Sequence, residues 1–392
     1  MPSNHFAGAM VVTLALAAAA CAGQEPLPQP PSPPSQASAA ATVTAASPAA
    51  SPESPAPPAP PPKPSLADLI QIALKGIEEG FNAHDSKKVA AYYADDATVI
   101  DFGGPAPGHS RSDVATSVQA VFDTVSDVKT ASERIWITGH VAVCEWAWAG
   151  TMTGDMMGLK ATKKPIGQLR VHVLWFTDDG LIKEEHQYAD GAGLLAQMKG
   201  KATAPAVPAL PTNPPDVHLA KGTPEEDGLA EWGKGFAEQW SKDDPKTVVA
   251  AFADDADAWA NLFGGPAIKG KRELARSYAA WLKAFPDQKW TTSQAWGIDG
   301  FAIVENSMMG TLKGPLGPIP ASSKPIIGWH WLAIWQPTGD RQVQHLWSYA
   351  NATELFRQTG GPRGAGSKPE PQEPLMKAPG PTGKPRASTP ER

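Results

Sequence analysis

The sequence predicts an α+β protein that contains two copies of one domain, each a curved antiparallel sheet wrapped round helices. Three observations lead to this prediction. The segments 66–200 and 224–360 of the 392-residue chain repeat each other. Each copy opens with apolar residues at helical spacing and continues with runs that alternate apolar and polar residues, the pattern of strands. Helices followed by a run of strands are typical of the α+β class.

The duplication is visible position by position. Trp136 matches Trp296 and Glu145 matches Glu305, both at an offset of 160. Near the end the offset grows by one, so that Tyr188 matches Tyr349. Further matches at the offset of 160 join Gly150-Thr151 to Gly310-Thr311, Gly154 to Gly314, Lys164-Pro165-Ile166 to Lys324-Pro325-Ile326, and Trp175 to Trp335.

Each copy is expected to run helix, helix, strand, helix, successive strands and a last helix. Asp85 and Asp244 are expected to cap the short second helix, with Pro245 at the favoured first position. The apolar stripe of the third helix is kept while its residues change, from Val114, Val118, Val121, Phe122 and Val125 to Leu274, Tyr278, Trp281, Leu282 and Phe285. Strands are expected within 130–152, 164–177 and 180–189, and within 290–312, 325–336 and 341–350.

The segments outside the repeats have a different composition. Residues 1–21 are typical of a bacterial lipoprotein signal, in which Cys21 becomes lipidated after cleavage; an ordinary secretion signal is the alternative. Residues 22–64 are rich in Pro, Ala and Ser and are expected to form a disordered stalk. Residues 201–223 are interpreted as a Pro-rich linker and residues 361–392 as a disordered tail. The sequence thus favours a cell-envelope lipoprotein that faces the periplasm or the exterior.

Composition argues against several classes of partner. The net charge is −6 and no basic stripe is present, so nucleic-acid binding is not expected. The nine histidines do not fall at metal-ligand spacing, and Cys144 is the only cysteine besides Cys21. The sequence has no phosphate-binding glycine loop. We therefore expect neither a metal nor a cofactor.

Each repeat resembles the SnoaL-like polyketide cyclases of the nuclear-transport-factor-two-like superfamily. The resemblance is carried by a turn "FPD" at 285–287 (Val125-Ser126-Asp127 in repeat 1), by "GTxxG", by "KP" and by a final "DGxIxExWxxxD". Repeat 1 has His186 at the Trp position of this last motif, and repeat 2 has His345 at its Glu position. The resemblance implies cone-shaped, cystatin-like domains. It does not fix a function, because the fold hosts isomerases, cyclases, hydrolases, dehydratases and binding proteins.

The end of the motif holds the candidate catalytic residues. In the family, the Asp at the position of Asp190 is an acid/base catalyst, and this resemblance implies that repeat 1 could use Asp190, with His186 or Tyr188 steadying an enolate. Repeat 2 has Asn351 there and could not exchange a proton in the same way. The alternative is that Asp190 and Asn351 are helix N-caps, for which Asp and Asn serve equally well.

Glu145 and Glu305 form a second candidate set, because both repeats keep a glutamate in the middle of an apolar strand. A hairpin would bring Glu145 opposite 171–175 and Glu305 opposite 331–335. Glu145 could then form an acid/base pair with Arg170 or His172, and Glu305 with His330; a structural cross-strand ion pair is the alternative. One face of this next strand is expected to be apolar in both copies, with Leu169, Val171, Val173 and Trp175 matching Trp329, Trp331, Ala333 and Trp335.

The tryptophans of repeat 2 outnumber what a core requires. Trp259, Trp281 and Trp347 are interpreted as the lining of an aromatic ligand pocket. Trp329 and Trp331 are interpreted as a face that docks onto repeat 1, in an intramolecular pseudo-dimer.

Three functions remain open at this point. The first is a binding protein that holds a small apolar or aromatic ligand without catalysis. The second is a cyclase or isomerase in which repeat 1 removes a proton alpha to a carbonyl. The third is an envelope scaffold whose cones are filled by side chains. The membrane would be reached through the lipid anchor only.

Overall fold

The computed structural model describes residues 63–360, apart from 105, 203, 243, 263–265 and 318. The predicted signal peptide, the lipidated Cys21, the tail and all but the last two residues of the stalk lie outside the described residues. Among the helices that the model describes, none is long and apolar enough to cross a membrane.

Repeat 1 contains the helices and strands in the predicted order. Its helices are α1 (Leu66–Asn82), α2 (Ser86–Ala90), α3 (Arg111–Thr124) and α4 (Gly191–Met198). Its strands are β1 (Tyr93–Asp101), β2 (Lys129–Thr138), β3 (Val141–Thr151), β4 (Pro165–Phe176) and β5 (Ile182–Ala189). The predicted linker contributes β6 (Asp216–Leu219).

Repeat 2 follows the same order. Its helices are α5 (Pro224–Trp240), α6 (Pro245–Ala250), α7 (Lys271–Ala284) and α8 (Ala352–Thr359). Its strands are β7 (Phe252–Ala260), β8 (Ile268–Lys269), β9 (Lys289–Ile298), β10 (Phe301–Thr311), β11 (Pro325–Pro337) and β12 (Val343–Ala350).

The strands form two sheets with equivalent cores. The described strands of sheet 1 lie in the order β1-β5-β4-β3-β2-β6, and those of sheet 2 in the order β8-β7-β12-β11-β10-β9. The α+β prediction is confirmed, but the sheets are mixed and not purely antiparallel. The strand after the second helix pairs parallel with the strand before the last helix, as β1 does with β5 and β7 with β12, and β6 pairs parallel with β2.

Local sequence signals fix the ends of these elements. Asp85 accepts a hydrogen bond from the backbone N–H of Lys88 at the start of α2, and Asp244 accepts one from Lys246 at the start of α6. Pro245 is the first residue of α6. Both predicted N-caps are therefore confirmed, and each satisfies a backbone donor that the helix itself leaves open.

Part of the family signature has a structural role in both repeats. The backbone N–H and the hydroxyl of Thr151 donate to Asp127 over 2.6 and 2.7 Å. Thr311 makes the same two bonds to Asp287 over 2.8 and 2.7 Å. The "GT" pair thus ties the ends of β3 and β10 to the turns after α3 and α7.

One face of each sheet packs on helices of its own repeat, and the other face packs on the other repeat. We call the interior between a sheet and its first three helices the cone of that repeat; an apolar cluster lines each cone. A further cluster joins the two sheets, and its buried members are Phe102, Trp136, Val143, Val171, Val173, Tyr188, Ile298, Phe301, Ile303, Leu332, Ile334 and Tyr349. We call this contact the inter-repeat interface.

An extra residue in β11 separates the two copies. Trp148 pairs with Gln168 in repeat 1, whereas its counterpart Met308 pairs with Trp329, one position later. The register shift falls where Gly328 has a φ of +69°, a conformation that glycine adopts without strain. Beyond this point the offset between equivalent residues is 161, and a shift by one residue turns a side chain to the opposite face of a sheet.

This bulge makes two sequence predictions wrong. Trp175 contacts the inter-repeat interface, but Trp335 lies in the cone of repeat 2, so the two tryptophans are not equivalent. Trp329 and Trp331 also pack inside repeat 2, against α7 and α8, and do not dock onto repeat 1. From this strand, Leu332 and Ile334 pack in the inter-repeat interface, and the ring of His330 stacks on Phe102 of repeat 1.

Candidate functional site

Two buried carboxylates lie in the inter-repeat interface and are related by the duplication. Glu145 and Glu305 are 0% and 2% exposed. The hydroxyl of Tyr349 donates to Glu145, and the hydroxyl of Tyr188 donates to Glu305 over 2.7 Å. Each glutamate is therefore bonded by the tyrosine of the other repeat. Such reciprocal contacts are characteristic of a two-fold interface.

Glu145 forms an ion pair with Arg134 across the β2–β3 hairpin. The two residues are directly opposite in the register, and both Nε and Nη2 of Arg134 donate to the carboxylate, Nη2 over 2.8 Å. The guanidinium carbon lies 4.0 Å from the ring centre of Trp347, a cation–π contact from the other repeat. Burial raises the pKa of Glu145 above its ordinary value, although Arg134 opposes the shift.

Glu305 has a different cation. The two ring nitrogens of His186 lie 2.9 Å from Glu305 and 3.1 Å from Glu184. Burial lowers the pKa of His186, but the hydrogen bonds and charges of these two carboxylates outweigh it and raise the pKa to about 9. His186 is therefore protonated at neutral pH, and the interface carries one positive charge beside each buried carboxylate.

The predicted catalytic residues of repeat 1 lie on β5 and at the start of α4. His186 and Tyr188 face the inter-repeat interface and bond to Glu305. Asp190 is the N-cap residue of α4, is 5% exposed and makes no side-chain cap bond to that helix. Asn351 does cap α8, since its side chain accepts from the backbone N–H of Thr353 over 2.9 Å. Of the three predicted residues of repeat 1, His186 and Tyr188 therefore bond to one carboxylate, and Asp190 lies at the start of the following helix.

The candidate pairs of Glu145 with His172 and of Glu305 with His330 are also absent from the structure. Val171, not His172, is opposite Glu145, so that His172 points into the cone on the other face of the sheet. His330 lies opposite Ser307. Its ring bonds to Glu354 over 2.7 Å and stacks on Phe102. Glu145 does form a cross-strand ion pair, but its cation is Arg134 on the preceding strand and not a residue of the next strand, and Gln294 occupies the equivalent place opposite Glu305.

The cone of repeat 1 contains a cluster of titratable side chains. Nδ1 of His172 lies 2.5 Å from Glu185, whose second oxygen accepts from the hydroxyl of Tyr93 over 2.9 Å. Trp146 stacks on the His172 ring. Burial alone would raise the pKa of Glu185, but the charge and hydrogen bond of His172 lower it overall. Nε2 of His172 is buried and has no hydrogen-bond partner among the described residues.

Sequence reasoning found only part of this cluster. It singled out His172 but missed Tyr93, Glu185 and also Arg134 in the interface. Arg134 had a usable signal, because a tight turn at Gly139 aligns Thr138 with Val141, which by simple counting puts Arg134 opposite Glu145. Tyr93 had none, because its partner Glu185 is 92 residues away.

Repeat 2 has lost the titratable cluster. The strand registers make Phe252 equivalent to Tyr93 and Leu346 equivalent to Glu185. By the same registers Ala333 takes the place of His172. The two cones therefore differ in chemistry: the first has a phenol, a carboxylate and an imidazole at these three positions, and the second has only apolar side chains there.

The cone of repeat 2 contains an apolar cavity of about 150 Å³. Its aromatic lining consists of Trp240, Phe252, Trp259, Tyr278, Trp281 and Trp331. The indole N–H groups of Trp240 and Trp331 are buried and have no acceptor within the described part of the chain. Of the predicted pocket residues, Trp259 and Trp281 line this cavity, whereas Trp347 lies in the interface over Arg134.

No group of His, Cys, Asp and Glu side chains within residues 63–360, as far as they are described, is arranged to hold a metal ion. Cys144 is buried in the cone of repeat 1, and burial raises the pKa of its thiol well above the ordinary value.

Both repeats match models of known protein families. Residues 71–198 match the family model of the SnoaL-like polyketide cyclases, and residues 234–345 match that of the SnoaL-like domain, together more than half of the chain. No curated protein matches the chain.

Solved structures match about one repeat each. IdmH from Streptomyces antibioticus is 23% identical to this chain and has a TM-score of 0.30. The match covers 33% of this chain and 97% of the IdmH chain. TsrD from Streptomyces laurentii is 17% identical, with 33% and 94% covered and a TM-score of 0.31. A protein with a ketosteroid isomerase-like fold from Catenulispora acidiphila is 15% identical, with 32% and 92% covered and a TM-score of 0.29.

Proposed function

Because the chain belongs to the SnoaL-like family through two tandem domains, we propose that it binds a small apolar or aromatic ligand in the cone of repeat 2, without catalysis. The observation that carries this proposal is the cavity of about 150 Å³ with its aromatic lining. Apolar cavities of that volume stay dry and bind molecules of the size of benzene. The ligand is therefore a single ring or an aliphatic group of similar size.

The unpaired indole groups refine the ligand class. A buried donor without an acceptor costs about 1–3 kcal/mol. Two such donors, on Trp240 and Trp331, belong to side chains that line the cavity. A ring that carries one oxygen acceptor, such as an aryl ether, would satisfy one of them. This class fits the cavity better than a pure hydrocarbon does.

Titration calorimetry with anisole and ethylbenzene tests the proposal, because the two probes share a shape and differ in the ether oxygen. We expect saturable binding of both and a roughly five-fold tighter binding of anisole, the worth of about one net hydrogen bond. Ala258→Leu fills the cavity and should weaken binding at least ten-fold.

The matched control is Val99→Leu, at the equivalent position of repeat 1. It should leave the affinity unchanged. If neither probe binds, or if both substitutions weaken binding equally, the cone of repeat 2 is not the ligand site.

We further propose that the chain is exported and anchored by a lipid on Cys21, which is supported by the sequence of residues 1–21. Labelled palmitate should enter the wild-type chain in a bacterial host, and Cys21→Ser should abolish the label and release the protein from the membrane fraction. Label that persists in Cys21→Ser would exclude this anchor. The stalk would then hold the two domains away from the membrane.

A second candidate function is an acid/base reaction in the cone of repeat 1, as in a cyclase or isomerase. The specific observation is the bond of His172 to Glu185, which orients the ring and leaves Nε2 directed away from Glu185. In this candidate, Nε2 would accept a proton from the carbon next to a carbonyl. His172 would here do what the family resemblance assigns to Asp190.

Deuterium exchange of acetylacetone, followed by proton NMR in deuterated buffer, tests this candidate. His172→Gln should slow the exchange at least 100-fold, the usual worth of a positioned base. His330→Gln, which removes a histidine bonded to a glutamate outside the cone, should not slow it. A loss in Asp190→Asn but not in His172→Gln would move the base to Asp190, and no exchange above that of buffer would reject the enzyme.

A further inference from the structure

The two buried carboxylates of the inter-repeat interface are equivalent, but the residues that neutralise them are not. Directly opposite Glu145 on the neighbouring strand is Arg134, and at the same place opposite Glu305 is Gln294. Tyr188 and Tyr349 each bond to the glutamate of the other repeat. Two residues before this tyrosine, repeat 1 has His186 and repeat 2 has Trp347. We call 134, 294, 186 and 347 the four pairing positions.

Repeat 1 supplies both cations of the interface. Arg134 reaches Glu145 within its own sheet and is covered by Trp347 of repeat 2. His186 reaches across to Glu305 of repeat 2. At the pairing positions repeat 2 supplies an amide and an indole, and no charge. The result is one cation for each buried carboxylate.

We propose that the four pairing positions form a code that makes repeat 1 complementary to repeat 2 and not to a second copy of itself. In a pair of two repeats 1, each Glu145 would meet both Arg134 and the partner's equivalent of His186, so two cations would crowd one carboxylate. In a pair of two repeats 2, each Glu305 would meet Gln294 and Trp347 and would have no cation. Both mismatches leave buried charge unbalanced, which is strongly unfavourable.

The code also identifies the partner that this surface fits. A free repeat 1 face is complementary to the repeat 2 face of the same chain or of a second copy of the chain. If two chains associate through these faces, repeat 1 of one chain would therefore pair with repeat 2 of the other. Two repeats 1, or two repeats 2, would not pair. The Trp position of the final family motif holds His186 in repeat 1 and Trp347 in repeat 2. This difference is then a consequence of the way in which the two repeats pair.

Substitutions in the full chain test the code by rescue. His186→Trp removes the cation of Glu305, and we expect it to lower the melting temperature by roughly 8 °C. Gln294→Arg in the same chain recreates at Glu305 the arrangement that Glu145 has, and it should recover most of this loss. Gln294→Arg alone adds a second cation beside His186 and should destabilise. Thr291→Arg adds the same charge at an exposed site of β9 and should rescue nothing.

A second pair of substitutions, at Arg134 and Trp347 beside Glu145, keeps the test decisive if His186→Trp fails to fold. Arg134→Gln should destabilise, and Trp347→His added to it should return a cation to Glu145 from across the interface. Recovery in either double variant supports the code. Losses that simply add in both double variants, or an equal rescue by Thr291→Arg, would overturn it.

Discussion

Replacing Arg134 with methionine is expected to lower the free energy of unfolding by about 3–5 kcal/mol, the usual cost of removing one partner from a buried ion pair. Glu145 is fully buried and would keep only the hydroxyl of Tyr349 among its present side-chain partners. Trp347 would also lose the cation that lies on its ring. Equilibrium unfolding in urea at pH 7 measures the loss. An unchanged dependence of the unfolding free energy on urea concentration would show that the folded state is intact.

The matched control for this prediction is Arg276→Met. Arg276 pairs with Glu273 on the surface of α7, where the two side chains are 67% and 42% exposed. Exposed pairs contribute about 0–1 kcal/mol. Similar small losses in Arg134→Met and Arg276→Met would mean that Glu145 is not charged in the folded protein, or that water reaches it.

The second large effect is a loss of stability with rising pH that originates at His186. The pKa of His186 is about 9 in the folded protein and has an ordinary value of 6.5. Because the folded pKa is the higher one, the contribution is complete below pH 6.5 and is lost as the pH rises through 9. The difference corresponds to about 3 kcal/mol. The carboxylates that face the ring are Glu184 and Glu305, with Phe102 and Trp175 beside them.

Other groups also titrate near pH 9, so the measurement is a difference. Unfolding free energies of the wild type and of His186→Gln are compared at several values between pH 6 and pH 10. We expect the gap between the two proteins to shrink by about 3 kcal/mol over this range. A gap that stays constant would show that His186 is neutral in the interface.

The sequence predicted the fold well because its signals are local. The helix caps at Asp85 and Asp244 each involve residues two or three positions apart, and apolar periodicity is readable in short windows. The prediction failed at Gly328, where one inserted residue reverses every later side chain of β11. A match of Trp175 to Trp335 looked convincing in sequence, although only the strand register shows that the two face opposite sides of their sheets.

The site was only partly predictable, because its contacts join distant residues. Glu145 and Glu305 could be selected, since a charge kept twice in a buried strand is unusual. The tyrosine partners of these glutamates could not be predicted from the sequence, because Tyr349 is 204 residues from Glu145 and belongs to the other repeat. The change from Asp190 to Asn351 seemed to mark chemistry, yet the side chain of Asn351 serves as a helix cap.

Ligand binding in the cone of repeat 2 can be located by crystallography. A crystal of the full chain soaked with bromobenzene tests it directly, because the anomalous signal of bromine locates the ring. We expect one strong bromine peak in the cavity between Trp259, Trp281 and Trp331. A peak only in the cone of repeat 1, or no ordered bromine within either cone, would contradict it.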